Sequence, residues 1–336
     1  MISEAIQKVI DSCDLAESEM IATMNDIMEG ETTDAQIACF LTALRIKGET
    51  VDEITGAARV MRDKATPIPT QQTFLVDTCS TGGTGLHSFN ISTTSAFVVA
   101  GAGVPVAKHG NKGVTRLSGS ANVLMALGVN IEITPEQVGA CIDKVGIGFM
   151  YAPMLHSAMK YAIGPRREIG IRTIFNAIGP LTNPAGAQAQ VLGVYSEELT
   201  EVHANVLKNL GTQHAFVVHG HDGLDEITTT TTTQVSELVN GKVKTYTFDP
   251  TTLGIPKTTE SSLQGGTPEA NAGITESILK GNKGPKRDIV LLNAAAAIVA
   301  GGKADSFEQG LEIAANSIDS GQAMEKLEGL KSVSNQ

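Results

Sequence analysis

Residues 74–101 read FLVDTCSTGGTGLHSFNISTTSAFVVAG, and this stretch decides the fold class. Phe74–Thr78 has the β-rich composition of a short buried strand, a glycine-rich turn follows over 80–85, and a helical segment begins near Ile91. Glycines between a strand and a helix let backbone N–H groups converge on a phosphate, helped by the helix N-terminus. The stretch therefore predicts an α/β unit with an anion-binding turn. The turn matches neither the Walker pattern nor G-x-G-x-x-G, so it implies neither ATP nor NAD.

The alternation of strand, turn and helix continues towards the C-terminus. Further short β-rich runs are separated by helical segments: Val104–Lys108, Val129–Ile131, Val191–Tyr195 and Ala215–His219. This alternation predicts a larger α/β domain with a mainly parallel central sheet flanked by helices. Glu226–Val235, which holds six consecutive threonines, and Lys242–Phe248, after the Asn240-Gly241 turn, are expected to add strands. From Thr267 onward the sequence predicts helices again.

The N-terminal region has a different pattern. Its apolar side chains recur at helical spacing and predict four short helices, which end before the proline-rich break Thr66–Pro69. We expect a small N-terminal helical domain over residues 1–70, with residues 171–186 packed on it. The α/β domain is expected over residues 73–336.

Charge is distributed unevenly along the chain. Lys and Arg number 25 against 36 Asp and Glu, and the net charge of −11 argues against a nucleic-acid or anionic-membrane partner. The 54 residues between Asp77 and Glu132 nevertheless contain no acid, and they hold the cations Lys108, Lys112 and Arg116 and eight glycines between Gly82 and Gly119 alone. A positive, glycine-dense window is typical of an anion-binding site. Buried strands also lack charge, but burial does not account for three cations within nine positions.

The expected location of the protein is cytoplasmic. No apolar run reaches the roughly 20 residues that a membrane helix needs, and the N-terminus lacks the pattern of a signal peptide. The four cysteines are widely spaced and form no C-x-x-C pair. They therefore predict reduced thiols and no cysteine-based zinc site.

Polar side chains follow the first two strands of the predicted sheet. Asn90, Ser92 and Thr93 come after the glycine-rich turn, and Lys108 and Asn111 come at the end of the next strand. Ligands in open α/β sheets bind at the carboxyl ends of strands, so these side chains are well placed for phosphate. The Ser-Gly-Ser sequence at 118–120 opens a predicted helix and offers a second phosphate-binding N-terminus.

Two adjacent carboxylates, Asp225 and Glu226, follow the strand Ala215–His219. Neighbouring carboxylates in a loop can both face a hard cation such as Mg²⁺. A solvated turn explains the pair equally well, and both interpretations remain open at this stage.

Five motifs together resemble the anthranilate phosphoribosyltransferase family: VAKHGN (106–111), SGSAN (118–122), IRTIFNAIGPLTNP (171–184), LGVY (192–195) and HGHDGLDEI (219–227). The resemblance extends over nearly the whole chain. It implies an enzyme that transfers phosphoribose from phosphoribosyl pyrophosphate (PRPP) to the amino group of anthranilate in tryptophan biosynthesis. It also implies Mg²⁺ as cofactor, a homodimer, and a small helical domain beside a larger α/β domain.

The resemblance assigns roles to individual residues. The PRPP-binding residues are expected to be Ser80, Gly82, Gly83, Thr84, Ser88, Asn90, Ser92, Thr93, Lys108 and Ser120. The anthranilate-binding residues are expected to be Ser80, His109, Asn111, Ala152, Pro153, His156, Arg166 and Gly179, with Arg166 meeting the carboxylate. The expected ligands of Mg²⁺ are Ser92, Asp225 and Glu226. No residue is assigned as a catalytic acid or base, because the aniline nitrogen is a neutral nucleophile for which positioning can suffice.

The sequence departs from the family pattern where the substrates are expected to bind. In the family turn GTGGDG, Ser80 replaces the first glycine and Thr84 the aspartate, and Lys112, Arg116 and Asn122 are further departures. Ser80 would strain the turn if its position required a positive φ, and Thr84 removes a carboxylate. We therefore expect the family reaction with an altered PRPP or metal dependence. The alternatives are a pyrimidine nucleoside phosphorylase-like paralogue and a weakly active relative that binds phosphate or nucleic acid.

Overall fold

The structure is a computed structural model, and it describes residues 1–82, 88–113 and 118–336. Gly83, Thr84 and Arg116, which the sequence analysis singled out, lie outside the described residues. The helices are α1 (Ile2–Ile10), α2 (Glu17–Glu29), α3 (Asp34–Lys47), α4 (Val51–Asp63), α5 (Ile91–Gly101), α6 (Ser120–Ala126), α7 (Pro135–Val145), α8 (Ala152–Leu155), α9 (Lys160–Ile169), α10 (Ile174–Ile178), α11 (Leu199–Asn209), α12 (Pro268–Leu279), α13 (Pro285–Ala300), α14 (Phe307–Asp319) and α15 (Gln322–Ser334). Within the ranges given above, no helix is long and apolar enough to cross a membrane.

Helices α1–α4 form the N-terminal bundle. The hydroxyls of Thr33 and Thr50 cap α3 and α4, each accepting a hydrogen bond from a backbone N–H in the first helical turn, those of Gln36 and Glu53. The apolar faces of the four helices, including the methionines of α2, are buried in one core. The small helical domain expected from the sequence is thereby confirmed.

One sheet organises the rest of the chain. Its strands are β1 (Val76–Ser80), β2 (Val106–Gly110), β3 (Ile147–Tyr151), β4 (Ala189–Gly193), β5 (His214–Gly220), β6 (Thr233–Val239) and β7 (Lys242–Phe248). The spatial order is β3-β2-β1-β4-β5-β6-β7, and the first five strands in that order run parallel. β6 and β7 are antiparallel and meet at Asn240 and Gly241, whose positive φ angles of 51° and 71° suit a tight hairpin. The mainly parallel sheet is confirmed.

Two expected strands are wrong. Val129–Ile131 is a link between α6 and α7, and the place beside β2 is taken by β3, a strand that was not predicted from the sequence. In the threonine run, the strand begins only at Thr233. Thr228 and Thr230 instead donate hydrogen bonds to the Asp222 carboxylate, so they fold the preceding segment into a loop. Such local side-chain hydrogen bonds compete with strand pairing.

The sheet separates two cores, and β5 contributes to both. Phe216 and Val218 face the larger core, which is covered by α5 and α13. Ala215 and Val217 point to the opposite face, where α11 packs between the sheet and the N-terminal bundle. Ile174 in α10 is buried in this second core as well. The bundle therefore lies on the face of the sheet that α11 covers.

Candidate active site

The carboxyl ends of β1, β2 and β4 lie side by side, because Val76 pairs with Val106 and Ser80 pairs with Gly193. The segments that follow these strands enclose a cavity of about 350 Å³. Eleven of the predicted site residues line it: Ser80, Gly82, Asn90, Ser92, Thr93, Lys108, His109, Asn111, Ser120, Arg166 and Glu226. The parallel topology therefore gathers into one cavity residues up to about 145 positions apart in the sequence.

The other predicted residues lie behind or beside the cavity wall. Ser88 forms an antiparallel bridge with Gln264, and Ala152 and Pro153 begin α8 after β3. The His156 ring contacts the His109 ring, Gly179 begins the short 3-10 turn after α10, and Asp225 accepts a hydrogen bond from the Gly82 N–H. None of them is among the described residues that line the cavity itself.

Several lining residues were missed as site candidates: Thr81, Ser118, Arg172, Asn176 and Tyr195. The signal for four of them was present, since Ser118 begins SGSAN, Arg172 and Asn176 belong to the quoted IRTIFN motif, and Tyr195 ends LGVY. No role was assigned to them, because a motif alone does not say which of its side chains face the cavity.

The two carboxylates of the β5–β6 loop reach the glycine-rich turn and the start of α5. The Oδ2 atom of Asp225 accepts a hydrogen bond from the backbone N–H of Gly82 at 3.1 Å. The Oε1 atom of Glu226 accepts one from the backbone N–H of Ser92 at 3.3 Å. Both acidic residues are buried, so the solvated-turn interpretation is wrong.

Gly193 allows the backbone of Asp225 to lie against the end of β4. A Cβ atom at Gly193 would lie 1.8 Å from the carbonyl oxygen of Asp225, so only a glycine fits at the end of β4. The φ of 66° at Gly82 supplies the turn that presents its N–H to Asp225. Ser80 is the last residue of β1 and keeps a strand conformation, so the expected strain at Ser80 is absent.

Lys108 is a buried cation at the base of the cavity, with 2% of its surface exposed. Its ammonium group donates to the carbonyl of Thr78 and, at 3.5 Å, to the hydroxyl of Ser92. Burial lowers the pKa of Lys108, while the negative charges of Asp77 and Glu226 oppose the shift. Burial raises the pKa of Asp77, which accepts hydrogen bonds from the His109 N–H and the Asn183 amide. The base of the cavity is therefore a hydrogen-bonded network around one lysine.

His109 and His156 form a neutral pair. Their Nε2 atoms lie 3.2 Å apart, so one ring donates and the other accepts. Burial lowers the pKa of His109 to about 3, with the neighbouring His156 adding to the shift, and burial lowers the pKa of His156 to about 4. At neutral pH both rings are uncharged. The Nδ1 atom of His156 is buried and has no hydrogen-bond partner among the described residues.

The other cations of the cavity lie against aromatic rings. Arg166 lies over Phe175 with its guanidinium carbon 4.9 Å from the ring centroid, and Arg172 lies over Tyr195 at 4.6 Å. Lys112 lies 5.5 Å from the ring centroid of a tyrosine. Among the described lining residues, four are Lys or Arg and one is an acid, Glu226. The cavity is therefore suited to an anion with several negative charges.

Asn122, one of the departures, has a clear local role. Its Oδ1 atom accepts hydrogen bonds from the backbone N–H groups of Gly113 and Gly119, at 2.9 and 3.0 Å. An amide oxygen makes these two bonds as a carboxylate oxygen would, so the substitution preserves the loop before α6.

Comparisons with known proteins cover the whole length of the chain. The helical bundle domain of a glycosyl transferase family matches residues 3–65, and the a/b domain of that family matches residues 72–324. The anthranilate phosphoribosyltransferase of Symbiobacterium thermophilum is 57% identical, over 97% of this chain and 96% of its own. The crystal structure of the Thermus thermophilus anthranilate phosphoribosyltransferase is 40% identical with a TM-score of 0.94, covering 99% of both chains.

A more distant structure carries ligands. It is the Saccharomyces cerevisiae anthranilate phosphoribosyltransferase in complex with PRPP and Mg, which is 26% identical with a TM-score of 0.91 and covers 99% of this chain and 98% of its own. Sequence and fold agree along nearly the entire length, and the chain belongs to the anthranilate phosphoribosyltransferase family.

Proposed function

We propose that the cavity binds PRPP and anthranilate and that the protein transfers the phosphoribosyl group to the anthranilate amine, releasing pyrophosphate. The observation that carries the proposal is the convergence of four cations and the buried Glu226 carboxylate on one cavity at the carboxyl edge of the sheet, with the buried Asp225 bonded to the Gly82 N–H of its wall. The Saccharomyces cerevisiae relative binds PRPP and Mg, which supports the same pair of ligands here. The nucleoside phosphorylase alternative is not retained, because the family match spans the whole chain.

The donor set fits Mg²⁺. Asp225 and Glu226 offer carboxylate oxygens and Ser92 a hydroxyl, and Mg²⁺ prefers hard oxygen ligands, commonly one or two carboxylates together with water and substrate phosphates. In the described part of the chain, no cluster of three or more His, Cys, Asp or Glu side chains could hold a metal by itself. We propose that Asp225, Glu226 and Ser92 are the ligands that the protein supplies to Mg²⁺, and that oxygens of PRPP supply further ligands.

The reaction breaks the bond between ribose C1 and the pyrophosphate oxygen and forms a bond between C1 and the amine nitrogen. The nitrogen then gives one proton to solvent water, and the bond electrons leave with the pyrophosphate. Negative charge develops on the leaving pyrophosphate, and we propose that the ammonium group of Lys108 stabilises it. When bound, Mg²⁺ supplies further neutralisation of that charge. Because the lysine is already held by the Thr78 carbonyl, it needs little reorganisation as the bond breaks.

On the acceptor side, Arg166 is proposed to bind the anthranilate carboxylate. Phe175 holds its guanidinium group from one side. Burial lowers the pKa of Arg166, but an arginine stays protonated at neutral pH. His109 and Asn111 line the cavity and offer hydrogen bonds to the aromatic amine. The neutral His109–His156 pair can donate or accept without competing with Arg166 for the carboxylate.

We also propose a cytoplasmic homodimer. The four cysteines are free thiols, and two of them, Cys13 and Cys39, are exposed, which suits a reducing compartment. Ile46 and Ile163 are exposed on α3 and α9 and offer an apolar surface to a second copy.

The test of the function is direct. Anthranilate is fluorescent, and its signal should fall when PRPP and Mg²⁺ are added to the protein. No turnover at saturating PRPP and Mg²⁺ would contradict the proposal. We further propose that the missing carboxylate at position 84 alters the PRPP or metal dependence, so Thr84→Asp should change the Mg²⁺ titration. An unchanged titration would show that Thr84 is irrelevant to metal use.

A further inference from the structure

The loop over residues 221–232 carries Asp225 and Glu226 without regular secondary structure of its own. Loops usually lie at the surface and move more than the elements they connect. Here both carboxylates are buried and meet the backbone N–H groups of Gly82 and Ser92. Contacts from outside the loop must therefore hold its backbone in place.

Asn293 supplies such a contact. It lies on α13, has 2% of its surface exposed, and interrupts the apolar run 289–300. Its Oδ1 atom accepts the Ile227 N–H at 3.0 Å, and its Nδ2 group donates to the Ile227 carbonyl at 2.9 Å. Nδ2 also donates to the carbonyl of Ile289, one helical turn earlier, at 2.9 Å. One side-chain amide thus satisfies both backbone groups of Ile227 and ties them to the helix.

The position of this clamp matters because the Ile227 N–H belongs to the peptide that joins Ile227 to Glu226. Two opposed hydrogen bonds fix the orientation of the backbone there as well as its location. On the far side, Asp222 accepts the Leu224 N–H at 3.1 Å and the Thr228 hydroxyl at 2.6 Å, which closes the loop on itself. Asn293 connects the closed loop to helix α13.

Burying an amide in an apolar helix costs free energy that a leucine or alanine would not cost. The three hydrogen bonds of the Asn293 amide go to Ile227 in the loop and to Ile289 in the preceding turn of α13. We infer that Asn293 is a positioning residue: through Ile227 it fixes the Asp225–Glu226 pair in the geometry that binds Mg²⁺. The inference rests on the proposed role of the pair as metal ligands.

The test uses Asn293→Ala in the full chain, with Ser317→Ala as matched control. Ser317 on α14 is equally buried and donates to the Val98 carbonyl at 2.8 Å, so its loss removes a buried hydrogen bond remote from the carboxylates. Metal binding is measured with Mn²⁺ in the presence of inorganic pyrophosphate by the electron paramagnetic resonance signal of free Mn²⁺. Mg²⁺ titrations of turnover and the KM for anthranilate are measured alongside.

We expect Asn293→Ala to weaken Mn²⁺ affinity by about 10–100-fold and to raise the half-saturating Mg²⁺ concentration similarly, as residues that orient metal ligands do. The KM for anthranilate should stay within about twofold, because that substrate does not touch the clamp. Ser317→Ala should lower the melting temperature and leave the metal titrations unchanged. If Asn293→Ala does not fold, Asn293→Asp, which keeps the acceptor and the side-chain shape, should show the same direction of change.

Mn²⁺ affinities within about twofold of wild type in a folded Asn293 variant would overturn the inference, as would a wild-type protein that binds no Mn²⁺. The two proposals fail separately. A wild-type protein that binds Mn²⁺ but does not consume anthranilate contradicts the reaction, whereas a weakened Mn²⁺ affinity in the variant still supports the clamp.

Discussion

Replacing Gly193 by alanine tests whether the backbone of Asp225 must lie against the end of β4. The new Cβ would be 1.8 Å from the Asp225 carbonyl oxygen, whereas ordinary contact begins at 3.4 Å. β4 cannot yield, because Gly193 is paired with Ser80 on one side and Val218 on the other. The loop must therefore retreat by roughly 1.6 Å, and the backbone φ of residue 193 adds no strain of its own.

A retreat of that size breaks the 3.1 Å contact between Asp225 and the Gly82 N–H and misplaces the adjoining Glu226. A displacement of about 1 Å at a catalytic site can cost about 100-fold in rate, so we expect kcat/KM for PRPP to fall by about that factor. Overpacking should also lower the free energy of unfolding by about 1–3 kcal/mol.

The assay is the loss of anthranilate fluorescence at varied PRPP, together with thermal unfolding followed by circular dichroism. Gly273→Ala is the control, since that exposed helical position has nothing within 4 Å of an added Cβ. The control should leave activity unchanged and stabilise α12 by about 0.5–1 kcal/mol. A Gly193→Ala protein with wild-type kcat/KM for PRPP would refute the reasoning.

Four further predictions concern the cavity. Lys108→Met removes the cation proposed to face the leaving group, and steady-state kinetics should show kcat lower by about 10²–10³-fold. Arg166→Gln should raise the KM for anthranilate by about 10–100-fold and leave the KM for PRPP nearly unchanged, since a hydrogen bond to a charged group contributes about 1.5–3 kcal/mol. The pKa values of about 3 for His109 and about 4 for His156 lie below the ordinary value of 6.5. The unfolded chain therefore binds more protons, and stability should fall as the pH drops from 6.5 towards 4; melting temperatures should show a shallower fall in His156→Gln. Asn122→Asp keeps both backbone hydrogen bonds, so activity within about twofold of wild type is expected, and a large loss would show that the amide group itself matters.

The fold could be predicted from the sequence where local chemistry and periodicity agree. The capping threonines and the glycine-rich turn after β1 have signatures that depend only on neighbouring residues. The predicted strands were wrong where contacts with residues distant in the sequence determine the local structure. The threonine run has the composition of a strand, but Asp222 takes two of its hydroxyls. Val129 and Ile131 have the β-branched side chains typical of a strand, but β3 is the segment that pairs with β2.

The same distinction applies to the site. The carboxyl ends of parallel strands meet at one edge, so Lys108 and Asn111 could be placed near the glycine-rich turn from the sequence. The contact of His109 with His156 could not be predicted from the sequence, because it depends on the direction in which α8 continues from the end of β3. Asn293 was visible only as an interruption of an apolar helix, since its partner, Ile227, is 66 residues away.

The two faces of β5 have a consequence for unfolding. Because Ala215 and Val217 belong to the core of the N-terminal bundle and Phe216 and Val218 to the larger core, neither core can be exposed without stripping one side of the same strand. The helical domain is therefore not an independently melting module, and heat should produce a single cooperative transition. The bundle and the sheet form one thermodynamic unit, so an exchange of the bundle between relatives must carry the matching face of β5 with it.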